Sequence, residues 1–309
     1  MPYLSSLLKK DFSILYKDFR HHIIYTLFII GIASIATSFV LSSQLQKEVA
    51  KIYPNLIQTK TIFPSSEDLY VERGSPYDNR TISASESAKV IFHGPRDKKR
   101  IALTFDAEMT DGMKANLISG RVKSSYDKRI IDTLKQTNTK ATLFLTGMWI
   151  ELYPKETEEF SQNSLFELGS HSYTDSSYHG FCYGLNQVPK TVKIEDIGAT
   201  EKLLREHGNF DNRIFRFPGG CYSPDDVKLV NDAGDAVVHW DVSGSDGFNQ
   251  NTAQIERNIV DNVQNGSIII LHMNGEPTAP KTAEALPVII STLKAKGFEF
   301  VKVSELLGL

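Results

Sequence analysis

Charged and imidazole side chains stand at the ends of short apolar segments in the C-terminal part of this sequence. They are Asp106, His171, Asp175, Arg216, Asp246 and His272. A carboxylate and an imidazole that face one substrate can act as general base and general acid, and both can bind a divalent cation. One such residue alone is weak evidence, since a histidine that ends a strand is usually structural and an aspartate such as Asp175 often caps a helix. Their recurrence at five segment ends indicates a catalytic site.

The apolar segments predict the strands that position these side chains. Seven strand-like segments cover residues 101–106, 141–146, 166–171, 213–218, 236–242, 267–273 and 298–303. Helical patterns separate most of them, for example at residues 127–134, 194–206, 253–263 and 282–296. This alternation predicts an α/β domain with a parallel sheet, and it fits a barrel better than a doubly wound sheet, although the pattern alone leaves both open. In a parallel barrel the loops that follow the strands build the active site, so the polar residues are expected on one rim.

The composition excludes several classes of protein. Hydrophobic residues make up 41% and charged residues 23% of the 309 positions, which is typical of a folded globular chain. A net charge of -3 argues against a non-specific nucleic-acid binder, so no nucleic-acid partner is expected. Two cysteines exclude a four-cysteine zinc site. A metal in this protein would therefore need histidine and carboxylate ligands.

The N-terminal part contains one uncharged apolar segment, residues 23–41, close to the ~20 residues that a membrane-spanning helix needs. Four lysines and arginines precede this segment and two lysines follow it closely. The bias predicts a short cytoplasmic N-terminus over residues 1–22, one transmembrane anchor, and the C-terminal bulk outside the cytoplasm. A cleaved signal peptide and a buried core helix are the alternatives. Residues 42–96 are interpreted as a connector and residues 97–309 as the catalytic domain.

Five short motifs in that domain resemble those of a known family. They are TFDAE (104–108), HSYTD (171–175), RFPGG (216–220), WDVSGSD (240–246) and LHM (271–273). In this order they resemble the motifs of the polysaccharide deacetylases, the NodB-homology group or carbohydrate esterase family 4. The resemblance covers about residues 97–309. It implies a deformed (β/α)7 barrel of the TIM type and metal-dependent hydrolysis of the N-acetyl group of an amino sugar.

The resemblance assigns roles to the catalytic candidates. It makes Asp106 the general base and His272 the general acid. Arg216 is expected to hold Asp106 ionised, and Asp246 to orient His272 and favour its protonated form. The backbone N–H of Gly219 is expected to donate to the oxyanion, although the family usually has tyrosine at this position.

The resemblance also assigns metal ligands, with two departures from the family pattern. His171 and Asp175 fall on ligand positions, but Asp175 replaces a histidine and Ala107 replaces a carboxylate. The third ligand is left open among Asp106, Glu108, Asp111 and His179. Zinc is the expected divalent metal, because catalytic zinc usually has three protein ligands and an open position. Other divalent cations remain compatible, since one histidine with carboxylates is a harder ligand set.

The predicted function is a membrane-anchored hydrolase, bound by a single N-terminal helix, whose catalytic domain is periplasmic or extracellular. Its partner would be an N-acetylated glycan of the envelope, peptidoglycan or a related polymer. A degenerate barrel that binds glycan without hydrolysing it is the first alternative, favoured by Ala107 and Asp175. A deacylase of a lipid-linked sugar is another. The joint presence of Asp106 and His272 favours the enzyme, because a binding protein needs no acid and base together.

Cysteines and aromatic residues also concentrate in the motif loops. Cys182 and Cys221 can form a disulfide if the domain lies outside the cytoplasm, or remain buried thiols if it does not. Five aromatic residues surround the motifs: Tyr173, Tyr178, Phe181, Tyr183 and Tyr222. They can stack on a sugar ring or pack in the core.

Overall fold

The computed structural model describes residues 89–208 and 210–309. The predicted cytoplasmic N-terminus, the predicted anchor at residues 23–41 and most of the predicted connector lie outside the described residues. Among the helices of the described part, none is long and apolar enough to cross a membrane.

Nine strands form one sheet in the described part of the chain. They are β1 (Val90–Ile91), β2 (Arg100–Ala107), β3 (Ala141–Leu145), β4 (Phe166–Ser170), β5 (Ile214–Phe215), β6 (Ala236–Val238), β7 (Val242–Ser243), β8 (Ile268–His272) and β9 (Glu299–Val301). Their order is β1-β6-β5-β4-β3-β2-β8-β7, and β9 pairs with the start of β2. Every paired strand runs parallel to its neighbour, as the alternation with helices predicts.

Helices connect most of these strands. They are α1 (Asp111–Ile118), α2 (Lys128–Gln136), α3 (Gly147–Leu152), α4 (Pro154–Gln162), α5 (Lys193–His207), α6 (Pro224–Asp232), α7 (Thr252–Val260), α8 (Thr282–Ala295) and α9 (Val303–Leu307). Side-chain caps begin several of them. Asp127 caps α2, and Ser223 forms a capping box with Asp226 at α6.

The sheet curls into an incomplete barrel. β6 pairs with β5 while β7 pairs with β8, yet only three residues separate β6 from β7. Four residue steps from Val238 to Val242 span at most about 14 Å, so the two sides of the sheet must approach each other. The strand predicted at residues 236–242 is therefore two short strands with different partners. The break between them lies where the Arg216 guanidinium donates hydrogen bonds to the carbonyl oxygens of Val238 and His239.

Alternation along β2 directs Asp106 toward the enclosed side of the sheet. Ile101, Leu103 and Phe105 belong to the large apolar cluster that the sheet shares with the helices. Ala102 belongs instead to a second, smaller cluster. Successive strand residues face opposite sides of a sheet. Asp106 is four positions after Ala102, so its side chain faces the same side as Ala102 and not the large apolar cluster.

The sheet also begins earlier than the sequence predicts. β1 lies in the stretch interpreted as connector, and it pairs with β6 through Val90 and Ile91. A strand of two residues has no alternation long enough to be recognised from sequence.

Candidate active site

The catalytic candidates stand at the carboxyl edge of the sheet. Asp106 on β2 and His272 on β8 are register partners in the parallel ladder, where neighbouring strands lie ~4.8 Å apart. His171 directly follows β4, and Arg216 directly follows β5. The four residues therefore meet on one rim, where parallel α/β folds place their active sites.

Asp106 is buried and ion-paired with Arg216. Its side chain is almost fully enclosed, and its Oδ1 accepts a hydrogen bond from the Arg216 guanidinium at 2.7 Å. The same guanidinium donates to Thr104 Oγ1 at 2.8 Å. Its carbon lies 4.0 Å from the centre of the Phe144 ring. Both charges are thus paired inside the protein, where an unpaired one would be very costly.

His272 is held by Asp246. His272 Nδ1 lies 2.8 Å from Asp246 Oδ1, and the His272 backbone N–H donates to Oδ2, also at 2.8 Å. The hydroxyl of Thr282, at the start of α8, donates to the same Oδ2 at 2.5 Å. Burial opposes ionisation of Asp246, but the nearby imidazolium and these hydrogen bonds lower the pKa of its carboxyl group. Burial likewise opposes the charge on His272, yet Asp246 and Glu108 raise the pKa of the imidazole well above its usual range.

A second group of side chains has the arrangement of a metal site. Glu108, His171 and Asp175 offer three ligand atoms that lie within 4.8 Å of one another. His171 Nε2 and Asp175 Oδ1 are buried without a hydrogen-bond partner, 3.9 Å apart. Buried polar atoms are almost always partnered, so two such atoms side by side fit a site for a bound cation. Imidazole nitrogen and carboxylate oxygens suit a divalent cation.

His171 is oriented as a ligand. Its Nδ1 lies 2.9 Å from the carbonyl oxygen of Arg216. Because that oxygen can only accept, Nδ1 carries the proton and Nε2 presents its lone pair to the site. Burial lowers the pKa of His171 and so favours the neutral imidazole that a metal requires.

Burial makes a negative charge on Asp175 unfavourable unless a cation balances it. Burial raises the pKa of its carboxyl group well above the usual range, and the carboxylates of Glu108 and Asp106 raise it further. The alternative of Asp175 as a helix cap is not observed, because the next α-helix, α5, begins only at Lys193.

Glu108 belongs to the candidate metal group and also contacts His272. It follows Asp106 by two positions, the spacing that returns a side chain to the same face of a strand. Asn274 clamps its backbone, accepting from the Glu108 N–H at 3.1 Å and donating to its carbonyl oxygen at 2.7 Å. Glu108 Oε1 lies 3.3 Å from His272 Nε2.

The other candidates for a third ligand are either paired with another side chain or exposed. Asp106 is engaged by Arg216, and its Oδ2 is 3.6 Å from His171 Nε2. His179 and Asp111 are exposed. Ala107 is fully buried in the large apolar cluster. Among the described residues, Glu108 is therefore the carboxylate that the structure groups with His171 and Asp175.

The position of Gly219 has a conformational explanation. Its φ is +59°, and a Cβ atom there would lie 2.5 Å from Cys182 Sγ. Cys182 forms a disulfide with Cys221, which ties the loop after β4 to the loop after β5. A larger residue would meet this disulfide, which accounts for glycine where the family usually has tyrosine.

Three supporting residues were not predicted from the sequence. Thr104 binds Arg216, Asn274 binds Glu108, and Thr282 binds Asp246. Asn274 follows His272 by two positions and Thr104 precedes Asp106 by two, so strand alternation could have indicated both. Thr282 is 36 residues from Asp246 and carries no such signal.

Residues 93–238 match the sequence model of the family described as polysaccharide deacetylase. The chain thus contains a polysaccharide deacetylase domain of the NodB-homology type, and the family predicted from the five motifs is confirmed.

Named relatives agree with this assignment. A peptidoglycan-N-acetylglucosamine deacetylase of Bacillus cereus is 28% identical over 221 residues, which cover 72% of this chain and 73% of the relative. A solved peptidoglycan N-acetylglucosamine deacetylase, crystallised with a substituted N-oxidanyl-benzamide, matches with a TM-score of 0.60 and 26% identity. That match covers 72% of this chain and 94% of the solved one. Deacetylases of this family hydrolyse amide bonds and depend on a metal, so the predicted class of enzyme is confirmed.

A third solved structure shares the fold alone. It is described as a carbohydrate esterase family 4 pseudoenzyme from Bacillus anthracis, with a TM-score of 0.57 and 22% identity. The match covers 72% of this chain and 69% of that one. The curled parallel sheet is therefore common to active and inactive members, and function must be argued from the site.

Proposed function

We propose that this protein removes the acetyl group from N-acetylated amino sugars of an envelope glycan, with peptidoglycan as the first candidate. One observation carries the proposal. Asp106, paired with Arg216, and His272, paired with Asp246, lie at the ends of adjacent strands, and His272 also contacts Glu108 of the candidate metal group. Amide hydrolysis needs a base for water and an acid for the departing nitrogen, and this rim supplies one of each.

Asp106 is assigned as the base and His272 as the acid. The Asp106 carboxylate accepts a proton from the attacking water, whose oxygen forms a bond to the acyl carbon. The carbon–nitrogen bond then breaks as His272 gives its proton to the leaving amine, so acetate and a free amino sugar result. Arg216 and Asp246 position the two groups and balance their charges. Gly219 is proposed to donate its backbone N–H to the carbonyl oxygen, because its loop begins directly after Arg216.

The donor set fits a divalent cation, and zinc is the first choice. Glu108 and Asp175 would hold it through oxygen, and His171 through its unpartnered Nε2. Bound there, the cation would polarise the acyl oxygen and acidify water. Three protein ligands leave a position open, as catalytic zinc sites require.

We also propose that residues 23–41 anchor the protein in a membrane, with the catalytic domain periplasmic or extracellular. The uncharged length and the flanking basic residues support the anchor. The disulfide between Cys182 and Cys221 supports an oxidising compartment for the domain. Protease added to intact cells should cleave the catalytic domain. Full protection of the domain would indicate the opposite topology, with the domain in the cytoplasm.

A glycan-binding protein without turnover is the second candidate, and Ala107 favours it. Its side chain cannot bind a metal, and it stands where the family usually has a ligand. The presence of both Asp106 and His272 favours the deacetylase, because a protein that only binds glycan needs no base and acid.

Acetate release separates the two candidates. Purified full-length protein supplied with zinc is incubated with N-acetylated peptidoglycan and with N-acetylglucosamine oligomers. Release by the wild type, abolished in Asp106→Asn but retained in the exposed control Asp232→Asn, supports the deacetylase. Glycan binding with no release by the wild type at any pH or with any divalent metal supports the binding protein.

A further inference from the structure

Two large aromatic side chains lie exposed in contact with each other near the catalytic rim. Tyr183 is 68% and Phe248 73% exposed. Their ring centroids are 5.2 Å apart and the planes are inclined at 46°. Large apolar side chains grouped at a protein surface commonly mark a binding site. Of the five aromatic residues singled out in the motif loops, Tyr178 is buried and Tyr173 and Tyr222 are half-buried. Phe181 and Tyr183 are exposed, and Tyr183 is the one whose ring pairs with Phe248.

Phe248 lies in the turn that holds the proposed acid, His272. It ends the short 3₁₀ turn Asp246–Phe248, whose first residue binds His272. A Cβ atom built on the intervening Gly247 would lie 3.6 Å from His272 Cε1. The turn that carries Phe248 therefore passes directly beside the imidazole that is proposed to protonate the leaving nitrogen.

Tyr183 lies in the loop after β4. It directly follows Cys182, whose disulfide partner Cys221 lies in the loop after β5. Its ring atom Cδ2 is 3.3 Å from where a Cβ of Gly219 would lie. The contact between the two rings therefore connects the loop after β4 with the turn that carries Asp246. The Tyr183 ring also lies against the loop that follows Arg216.

Both loops hold an uncommon backbone conformation. Tyr183 has a φ of +50°, and Ser245, just before the Asp246 turn, has a φ of +54°. Non-glycine residues adopt such values only where the surrounding structure imposes them, and they concentrate at functional sites. The backbone that carries each ring is thus locally constrained.

We infer that Tyr183 and Phe248 form a stacking platform for a neutral pyranose ring, next to the sugar that is deacetylated. The inference rests on the proposed function. A pyranose ring presents apolar C–H groups on its faces, and aromatic rings supply apolar area beside the polar groups that orient a ligand. Because the platform is continuous with the rim at His272 and Gly219, its occupant is a neighbouring residue of the same glycan. The protein would then prefer oligomers over single sugars.

The test compares glycans of different length in the full-length protein supplied with zinc. Tyr183→Ala and Phe248→Ala are expected to raise KM for a pentamer of N-acetylglucosamine about tenfold, equivalent to ~1.4 kcal/mol of lost binding. The change should fall on KM rather than kcat, and it should shrink as the glycan is shortened. Tyr183→Phe should restore the wild-type KM, because stacking needs the ring and not the hydroxyl. Val288→Ala, an exposed apolar residue on α8, is the matched control.

Calorimetric binding of the pentamer distinguishes failure of the platform from failure of the proposed function. If the wild type releases no acetate but both alanine variants weaken pentamer binding about tenfold, the platform stands and the deacetylase assignment falls. If the wild type releases acetate and both variants keep its KM and affinity, the platform is overturned. A change in oligomeric state or in vesicle binding, with unchanged glycan affinity, would overturn it in favour of a protein or lipid contact.

Discussion

At the scale of single residues, the site depends on atoms that have no protein partner. His171 Nε2 faces Asp175 Oδ1 at 3.9 Å, and neither atom makes a hydrogen bond. The carbonyl of Arg216 fixes the His171 tautomer that leaves Nε2 free of a proton. One backbone oxygen thus connects the residue that pairs with the base to the residue that would bind metal.

The assignment of Glu108 as third ligand predicts which substitutions remove metal. Glu108→Ala and His171→Ala should weaken zinc affinity by more than the roughly 10–100-fold typical of losing a residue that only hydrogen-bonds to a ligand. Elemental analysis and competition with a chelator measure the change. His179→Ala serves as the control, because His179 is exposed. Loss of zinc in His179→Ala with retention in Glu108→Ala would reverse the assignment.

Asp246 and Thr282 predict a graded effect on turnover. Asp246→Asn removes the negative charge that supports His272, and kcat should fall by on the order of 10²–10⁴. Thr282→Val removes a single hydrogen bond to Asp246 and should cost much less. Steady-state acetate release measures both. Equal kcat in Asp246→Asn and the wild type would show that Asp246 does not support His272 during turnover.

At the scale of elements, two loops are joined by the disulfide beneath Gly219. The bond closes a loop with a sequence separation of 39 residues. Loop closure of this length stabilises a folded domain by about 2–4 kcal/mol. The double variant Cys182→Ser with Cys221→Ser should therefore lower the free energy of unfolding by about this amount.

Thermal unfolding checks this prediction, with the reduced wild type as the comparison. Reduced wild type and double variant should unfold at similar temperatures, below that of the oxidised wild type. An unchanged transition in the double variant would show that the two loops are held by other contacts.

How far the sequence predicts each element depends on its length and burial. β2 and β8 are runs of residues buried on both faces, so their apolar character marks them clearly. β1 and β7 have two residues each, too few to show a period. α3 and α4 follow each other almost without a break, which obscures their boundary at Pro154.

The same reasoning explains what could be predicted of the site. Strand ends identify Asp106, His171, Arg216 and His272, because each follows or ends an apolar run. The choice of Glu108 over His179 depends on side-chain direction in a loop, which spacing does not specify. The contact of Tyr183 with Phe248 joins two loops far apart in the sequence, and only the fold brings them together.

At the scale of the whole molecule, a buried acid away from the rim links stability to pH. Burial raises the pKa of Asp235 to about 7, and Glu201 adds to the shift while Arg213 opposes it. The folded state then keeps a proton that the unfolded chain has released, since the ordinary value is 3.8. This contribution to stability is fully present below about pH 4 and is lost as the pH rises toward 7.

Asp235→Asn should remove this pH dependence. The amide mimics the protonated acid, so relative to the wild type the variant should gain stability between pH 5 and 8. Urea unfolding at several pH values measures the free energy of unfolding for both. Asp232→Asn, an exposed aspartate on α6, is the control. Parallel pH profiles for wild type and Asp235→Asn would contradict the assignment.

The central claim is that one rim brings together a base, an acid and a metal-binding group for removal of an acetyl group. Acetate release from an N-acetylglucosamine pentamer by the zinc-supplied full-length protein tests it most directly. The account predicts release that chelation abolishes and zinc restores, and that Asp106→Asn eliminates with metal content unchanged. Release that survives both chelation and Asp106→Asn would contradict the account.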